Sequence, residues 1–226
     1  MCQAEIQAAL DRHVELERQI DRLCLAKFAG ACIACGGKCC RANHSSLTIQ
    51  SWWLRNVSMR AHGKWWPDDW QSRNGCAAQG PAGCVLKAGR PTYCWSWLCE
   101  PLLAECADCW QVIFYVFISE LPAELTRLTP TMDLLQLDEA SVAANLPLII
   151  RRLEEAHRLL AEARTLIDPA AGELDKHRTA LHLLCRMPRI LHGLARQAML
   201  DRIAGRQHDV SSRDAGDAGE TARDKQ

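Results

Sequence analysis

The stretch CIACGGKCC, residues 32–40, places four thiols within nine residues and ends on an adjacent pair, Cys39 and Cys40. Thiols at that density chelate metal, close disulfides or pack as small apolar side chains. The spacing continues beyond a gap of 35 residues: Cys32-x2-Cys35-x3-Cys39-Cys40 is followed by Cys76-x7-Cys84-x9-Cys94-x4-Cys99. That makes two groups of four. A metal needs thiolates converging to about 2.3 Å from the ion, and a spacer of two or three residues lets a tight turn bring two sulfurs together. Gly36 and Gly37 suit such a turn. Iron–sulfur centres use the same short spacings. Neighbouring side chains diverge on any regular backbone, by about 100° around a helix or to opposite faces of a strand. Cys39 and Cys40 are therefore expected to serve different centres, or one to ligate while the other packs; bridging sulfurs of one binuclear centre are a further arrangement.

The surrounding composition decides between metal and disulfide. The chain has 226 residues, 48% hydrophobic and 24% charged, the profile of a globular protein able to bury a core without staples. Lys plus Arg and Asp plus Glu are both 27, so net charge gives no attraction to nucleic acid or to an anionic membrane. No apolar run is long enough to span a bilayer. The N-terminus MCQAEIQAALDRHVELERQ is charged and helix-periodic, unlike a secretory signal. These features imply a cytoplasmic protein, where thiols stay reduced. Ten of the 13 cysteines lie between Cys32 and Cys109, and in a reducing compartment that clustering points to metal.

Four regions follow from the texture of the chain. Residues 3–28 read as an amphipathic helix, with Ile6, Leu10, Val14, Ile20, Leu23 and Cys24 on one side, charges on the other, and Gly30 as its stop. Residues 29–111 are rich in glycine, proline and cysteine, with seven of the eight tryptophans between Trp52 and Trp97, so they read as a loop-rich metal-binding segment with one short helix from Thr48 to Met59. Helical periodicity returns after Pro101, with helices Cys106–Glu120, Met132–Ile167 (broken near Pro147) and Glu173–Ala204 (kinked at Pro188), and 112–208 reads as a C-terminal helical region. The tail 209–226 is polar and reads as disordered. The fold expected is mainly α, with a loop-rich cysteine core packed among helices.

CIACGGKCC followed downstream by GCVLKAGRPTYCWSWLC resembles the cysteine-cluster family of zinc- or iron-chelating domain proteins. In that family a C-x2-C-x2–3-CC block precedes a second block of the form C…GC-x-(V/I/L)-x…RP-x2-CR…C. The matching positions are Cys32, Cys35, Cys39, Cys40, Cys76, Cys84, Arg90, Pro91, Cys94 and Cys99, within about residues 30–100. Trp95 stands where the family often has Arg, and Ser51 and Trp52 stand near a position where it often has Asp. The family is distantly similar in its cysteine pattern to flagellin lysine N-methylases, iron–sulfur proteins that use S-adenosylmethionine.

The resemblance implies eight metal ligands, Cys32, Cys35, Cys39, Cys40, Cys76, Cys84, Cys94 and Cys99. Soft thiolates suit both zinc and iron–sulfur centres; the kinship favours iron–sulfur, [4Fe–4S] in type, with structural zinc as the alternative. Lys38 and Arg90, with Arg41 and Lys87, stand beside the thiols and would offset the charge of a thiolate-bound centre. Trp52, Trp53, Trp65, Trp66, Trp95 and Trp97 would either shield such a centre or form an ordinary aromatic core.

The expected role is redox, metal delivery or support of a modifying enzyme, with a protein partner, no nucleic acid and no membrane. A zinc-stapled interaction module and a methylase-like enzyme are the alternatives, and the N-terminal helix is compatible with a dimer. Secondary candidates are the Cys106-x2-Cys109 pair as a redox dithiol of lowered pKa, His182 with Cys185 as ligands sharing a helix face, and His44 or, more weakly, His62 as substitute ligands. No phosphate loop, dinucleotide fingerprint or serine-nucleophile motif is present in the sequence.

Overall fold

A helix of 32 residues, α1 (Gln3–Ala34), is the element around which the others assemble. The computed structural model describes residues 3–34, 50–63, 78–80, 83–84, 86–95 and 100–186, and over these the chain is mainly α. α1 packs against α2 (Trp52–His62), the short helix α4 (Glu100–Ala104), α5 (Cys109–Thr126), α6 (Glu139–Ala163) and the strand β2 (Gly83–Cys84). Its broad buried face explains that many neighbours. Ile6, Leu10, Val14, Leu16 and Ile20 are all buried, and so are the polar residues His13, Glu17 and Asp21. The charges expected on a solvated face are therefore divided: Asp11, Arg12, Glu15 and Arg22 face water, whereas Glu17 and Asp21 do not.

α1 also runs past its expected stop. Gly30 lies inside the helix, which continues through Cys32 to Ala34. A glycine in a helix interior costs only about 1 kcal/mol relative to alanine, too little to end a helix of this length, and a Cβ at Gly30 would meet nothing within 4 Å.

Caps fix the other helix ends. α2 begins after Ser51, whose hydroxyl accepts from the Leu54 N–H, and ends at Gly63, which adopts a left-handed φ of 70° and donates its N–H to the Met59 carbonyl. The helix was expected from Thr48 to Met59; α2 begins at Trp52 and ends at His62. α5 begins after Asp108, which accepts from Gln111 N at 2.8 Å while the Gln111 side chain accepts from Ala107 N at 3.1 Å. This reciprocal cap places Cys106 outside the helix that was expected to contain it. α6 starts after Asp138, which accepts from Ser141 N.

Prolines fail to break two helices. α5 contains Pro122 and α6 contains Pro147, where a break was expected. An interior proline costs about 3 kcal/mol, but Leu146, Ile149 and Leu153 around Pro147 are all buried, and burying each side chain stabilises by about 1.5–3 kcal/mol. Between α5 and α6 lies an antiparallel hairpin, β3 (Arg127–Thr129) with β4 (Met132–Asp133), where helix was expected from Met132. Arg152 of α6 donates to the Glu124 and Arg127 carbonyls at 2.7 and 3.0 Å, fastening the end of α5. The last described helix, α7 (Glu173–Arg186), is joined to α5 by the Trp110 indole, which donates to Glu173 and meets the His177 ring edge-on. The expected kink at Pro188 and the tail 209–226 lie outside the described residues.

The segment from 86 to 95 lies over α1 and α2, with Leu86, Ala88, Gly89, Pro91 and Trp95 buried. Gly89 has φ of 76°, and a Cβ there would approach the Ser58 backbone nitrogen to 2.8 Å. Gly89→Ala therefore forces the segment off α2 and is expected to lower unfolding free energy by about 2 kcal/mol or more. Gly63→Ala, at φ of 70° but in open space, should cost only about 1 kcal/mol. Denaturant unfolding of both variants checks the ranking; equal losses would show that the contact with Ser58 is not the constraint.

Candidate metal centre

Of the eight cysteines expected to bind metal, two have described side chains. Cys84 and Cys94 are half-buried, and neither is in a disulfide. Cys84 closes the two-residue hairpin in which β1 (Gln79–Gly80) pairs with β2, opposite Gln79, and packs with Ala78 and Leu86. Cys94 lies in the helical turn α3 (Thr92–Trp95), its N–H bonded to the Pro91 carbonyl at 2.8 Å. Cys32 lies in the last turn of α1. Cys35, Cys39, Cys40, Cys76, Cys99 and Lys38 lie outside the described residues, as do Arg41, His44, Trp65, Trp66 and Trp97. Among the described residues no group of three or more His, Cys, Asp or Glu side chains converges as metal ligands do.

What the structure adds is the support beneath Cys84 and Cys94. Three residues of α1 spaced by four, His13, Glu17 and Asp21, form a buried polar row under the segment 86–95 and α2. Trp53 Nε1 donates to His13 Nδ1 at 2.9 Å. That nitrogen must therefore hold its lone pair, and in the neutral ring the proton sits on Nε2, 3.4 Å from a Glu17 carboxylate oxygen. Glu17 accepts from Trp95 Nε1 at 3.0 Å and from the Gly89 N–H. Asp21 pairs with Arg90 and lies 3.6 Å from the Lys87 ammonium. Trp53 and Trp95 are thus hydrogen-bonded core residues. Shielding of a centre was not required to explain them.

Arg90 is held on three sides. Its Nε donates to the Leu86 carbonyl at 2.5 Å, a terminal nitrogen meets Asp21, and the guanidinium lies 4.4 Å from the Trp95 ring centroid. Its side chain is 12% exposed. Burial alone would lower its pKa, but the negative charges of Cys84, Asp21 and Glu17, in that order, outweigh burial and raise it. Trp95 supplies both the stacking face for Arg90 and a donor for Glu17. His62 meets the Ala88 carbonyl at 3.3 Å, and burial lowers its pKa.

The secondary candidates divide. Cys106 precedes α5 and Cys109 opens it, so the pair does not share a helix face. Burial pushes the Cys106 thiol up to about 11, with Lys27 opposing and Asp108 and Glu105 adding to the rise. A redox nucleophile needs the opposite shift. His182 is already engaged: one ring nitrogen meets Glu162, and the other is 3.2 Å from Arg186 Nε. Arginine is always a donor, so His182 Nε2 accepts and Nδ1 donates to the carboxylate. Both nitrogens are committed, and Cys185 is exposed on the same helix. The α1 carboxylates are the residues that sequence reasoning missed. Their signal was a four-residue spacing lying between two rows of apolar positions.

No family model, no curated protein and no solved structure matches the chain. No described helix is long and apolar enough to cross a membrane.

The raised pKa of Cys106 has a direct consequence. In metal-free protein, iodoacetamide should modify Cys106 slowly at pH 7, with the rate rising about tenfold per pH unit toward a plateau near pH 11. Peptide mass mapping against pH measures this, and a plateau already reached at pH 8 would restore the redox-dithiol reading.

Proposed function

We propose that this chain is a cytoplasmic metalloprotein that binds one or two iron–sulfur centres, of [4Fe–4S] type, through Cys32, Cys35, Cys39, Cys40, Cys76, Cys84, Cys94 and Cys99. Its role is redox, metal delivery or support of a modifying enzyme, exerted through a protein partner. The donor set fits: all-thiolate sites are what iron–sulfur chemistry uses, and the described Cys84 and Cys94 are half-buried and not in disulfides.

One observation carries the reading beyond the cysteine count. The helix whose last turn holds Cys32 also supplies Glu17 and Asp21, which fasten the segment containing Cys94 and adjoining Cys84. A loop with so little backbone ladder of its own has its position fixed by buried charge, as a ligand-bearing loop requires. Cys32 of the first block is carried by that helix, and the segment around Cys84 and Cys94 of the second is fastened to it, which supports the reading. When bound, the centre supplies one-electron chemistry. The chain's own residue Arg90 places a fixed positive charge near Cys84.

The test is direct. Purified without oxygen, the full chain should be brown, with iron and acid-labile sulfide present in about equal amounts per chain, the composition of a [4Fe–4S] centre. Replacing Cys84 or Cys94 by Ser should each remove a large part of that iron. A colourless protein carrying stoichiometric zinc would replace this reading with a structural zinc site. Iron content unchanged in both serine variants would exclude these two cysteines as ligands.

A further inference from the structure

The geometry points to Arg90 as the charge that tunes the centre to which Cys84 belongs, with Asp21 of α1 as the residue that positions and offsets it. This rests on the iron–sulfur reading above and goes beyond it, because it assigns opposite electrostatic roles to two partners in one ion pair.

The placement is specific. The Leu86 carbonyl that receives Arg90 Nε belongs to the residue that packs against Cys84. The Trp95 ring covers the guanidinium, and Asp21, 6% exposed, holds its far nitrogen. Arg90 cannot swing to solvent without losing all three partners. Buried charges are screened little by salt or water, so their field reaches their neighbours at close to full strength. Lys87 extends the same arrangement toward water, 45% exposed and 3.6 Å from Asp21.

An iron–sulfur centre gains one electron on reduction, and nearby positive charge stabilises the reduced form. Arg90→Gln removes a positive charge and should move the reduction potential in the negative direction. Asp21→Asn removes the offsetting negative charge, leaves Arg90 its acceptor oxygen, and should move the potential in the positive direction. Both changes break the same ion pair. If the pair merely held the fold, both would move the potential the same way. Arg90→Lys keeps the charge and should stay near the parent value. Lys87→Met, at a half-exposed site, should shift the potential in the negative direction by less than Arg90→Gln.

Protein-film voltammetry on the anaerobically purified full chain measures all four variants, with iron determined in each sample. Opposite shifts for Arg90→Gln and Asp21→Asn support the assignment. Shifts of the same sign, or none for Arg90→Gln, overturn it while leaving the iron–sulfur reading intact. If the Arg90 and Asp21 variants do not fold, Lys87→Met decides: a negative shift supports the assignment and an unmoved potential overturns it. An iron-free parent protein overturns the iron–sulfur reading and this assignment with it.

Discussion

Everything described around the cysteines depends on two carboxylates that α1 buries. Moving a carboxylate out of water costs several kcal/mol even after relaxation, and only good geometry with further hydrogen bonds offsets it. Glu17 and Asp21 meet that condition in different ways. Glu17 takes two neutral donors, an indole and a backbone amide, and has the His13 ring beside it. Asp21 takes a guanidinium and an ammonium. One carboxylate therefore fixes the path of the backbone at Gly89, and the other fixes where positive charge resides. The segment 86–95 needs both, because it contributes no regular element longer than the single turn α3. Gly89 is where the two demands meet: its amide must reach Glu17 while its α-carbon passes too close to Ser58 for any side chain. A left-handed glycine satisfies both at once.

The same physics separates what could be read in the sequence from what could not. The mainly α architecture was legible because apolar residues recur at helical spacing through α1, α5, α6 and α7. Helix ends were less so. Gly30, Pro122 and Pro147 are breakers by local propensity, yet each lies inside a helix. Local penalties of about 1–3 kcal/mol lose to the burial of several flanking side chains. The starts expected at Thr48, Cys106 and Met132 were each too early, because the side-chain caps that set the observed starts, Ser51, Asp108 and Asp138, outweigh the helical spacing that runs ahead of them. The β3–β4 hairpin was hidden because its few residues carry too little alternation to compete with the helical pattern on either side.

For the candidate site, the thiols were legible and their scaffold was not. A row of His, Glu and Asp at four-residue intervals ordinarily reads as the solvated face of an amphipathic helix. In α1 the apolar positions Leu10 and Val14 flank that row on one side and Leu16 and Ile20 on the other, so the buried arc is wider than one stripe. A helix buried over so wide an arc cannot keep all its charges in water. Some must find partners, and those partners come from the loop that most needs fastening. Arg90 was legible as a cation beside thiols, whereas its partner Asp21, 69 residues away in sequence, was not.

The continuity of α1 also changes the reading of CIACGGKCC. Cys32 sits on the helix itself, so the first thiol of that block is carried by a rigid element and not by the turn its spacing implies. From Asp21 to Cys32 is eleven residues, a rise of about 16 Å along a helix axis at 1.5 Å per residue. Cys32 and the segment 86–95 are thus attached to one rigid helix at well-separated heights, Cys32 in its last turn and the segment at Glu17 and Asp21. A helix holds that separation fixed, so the starting points of the chain after Cys32 and of the chain around Arg90 are set together and not independently.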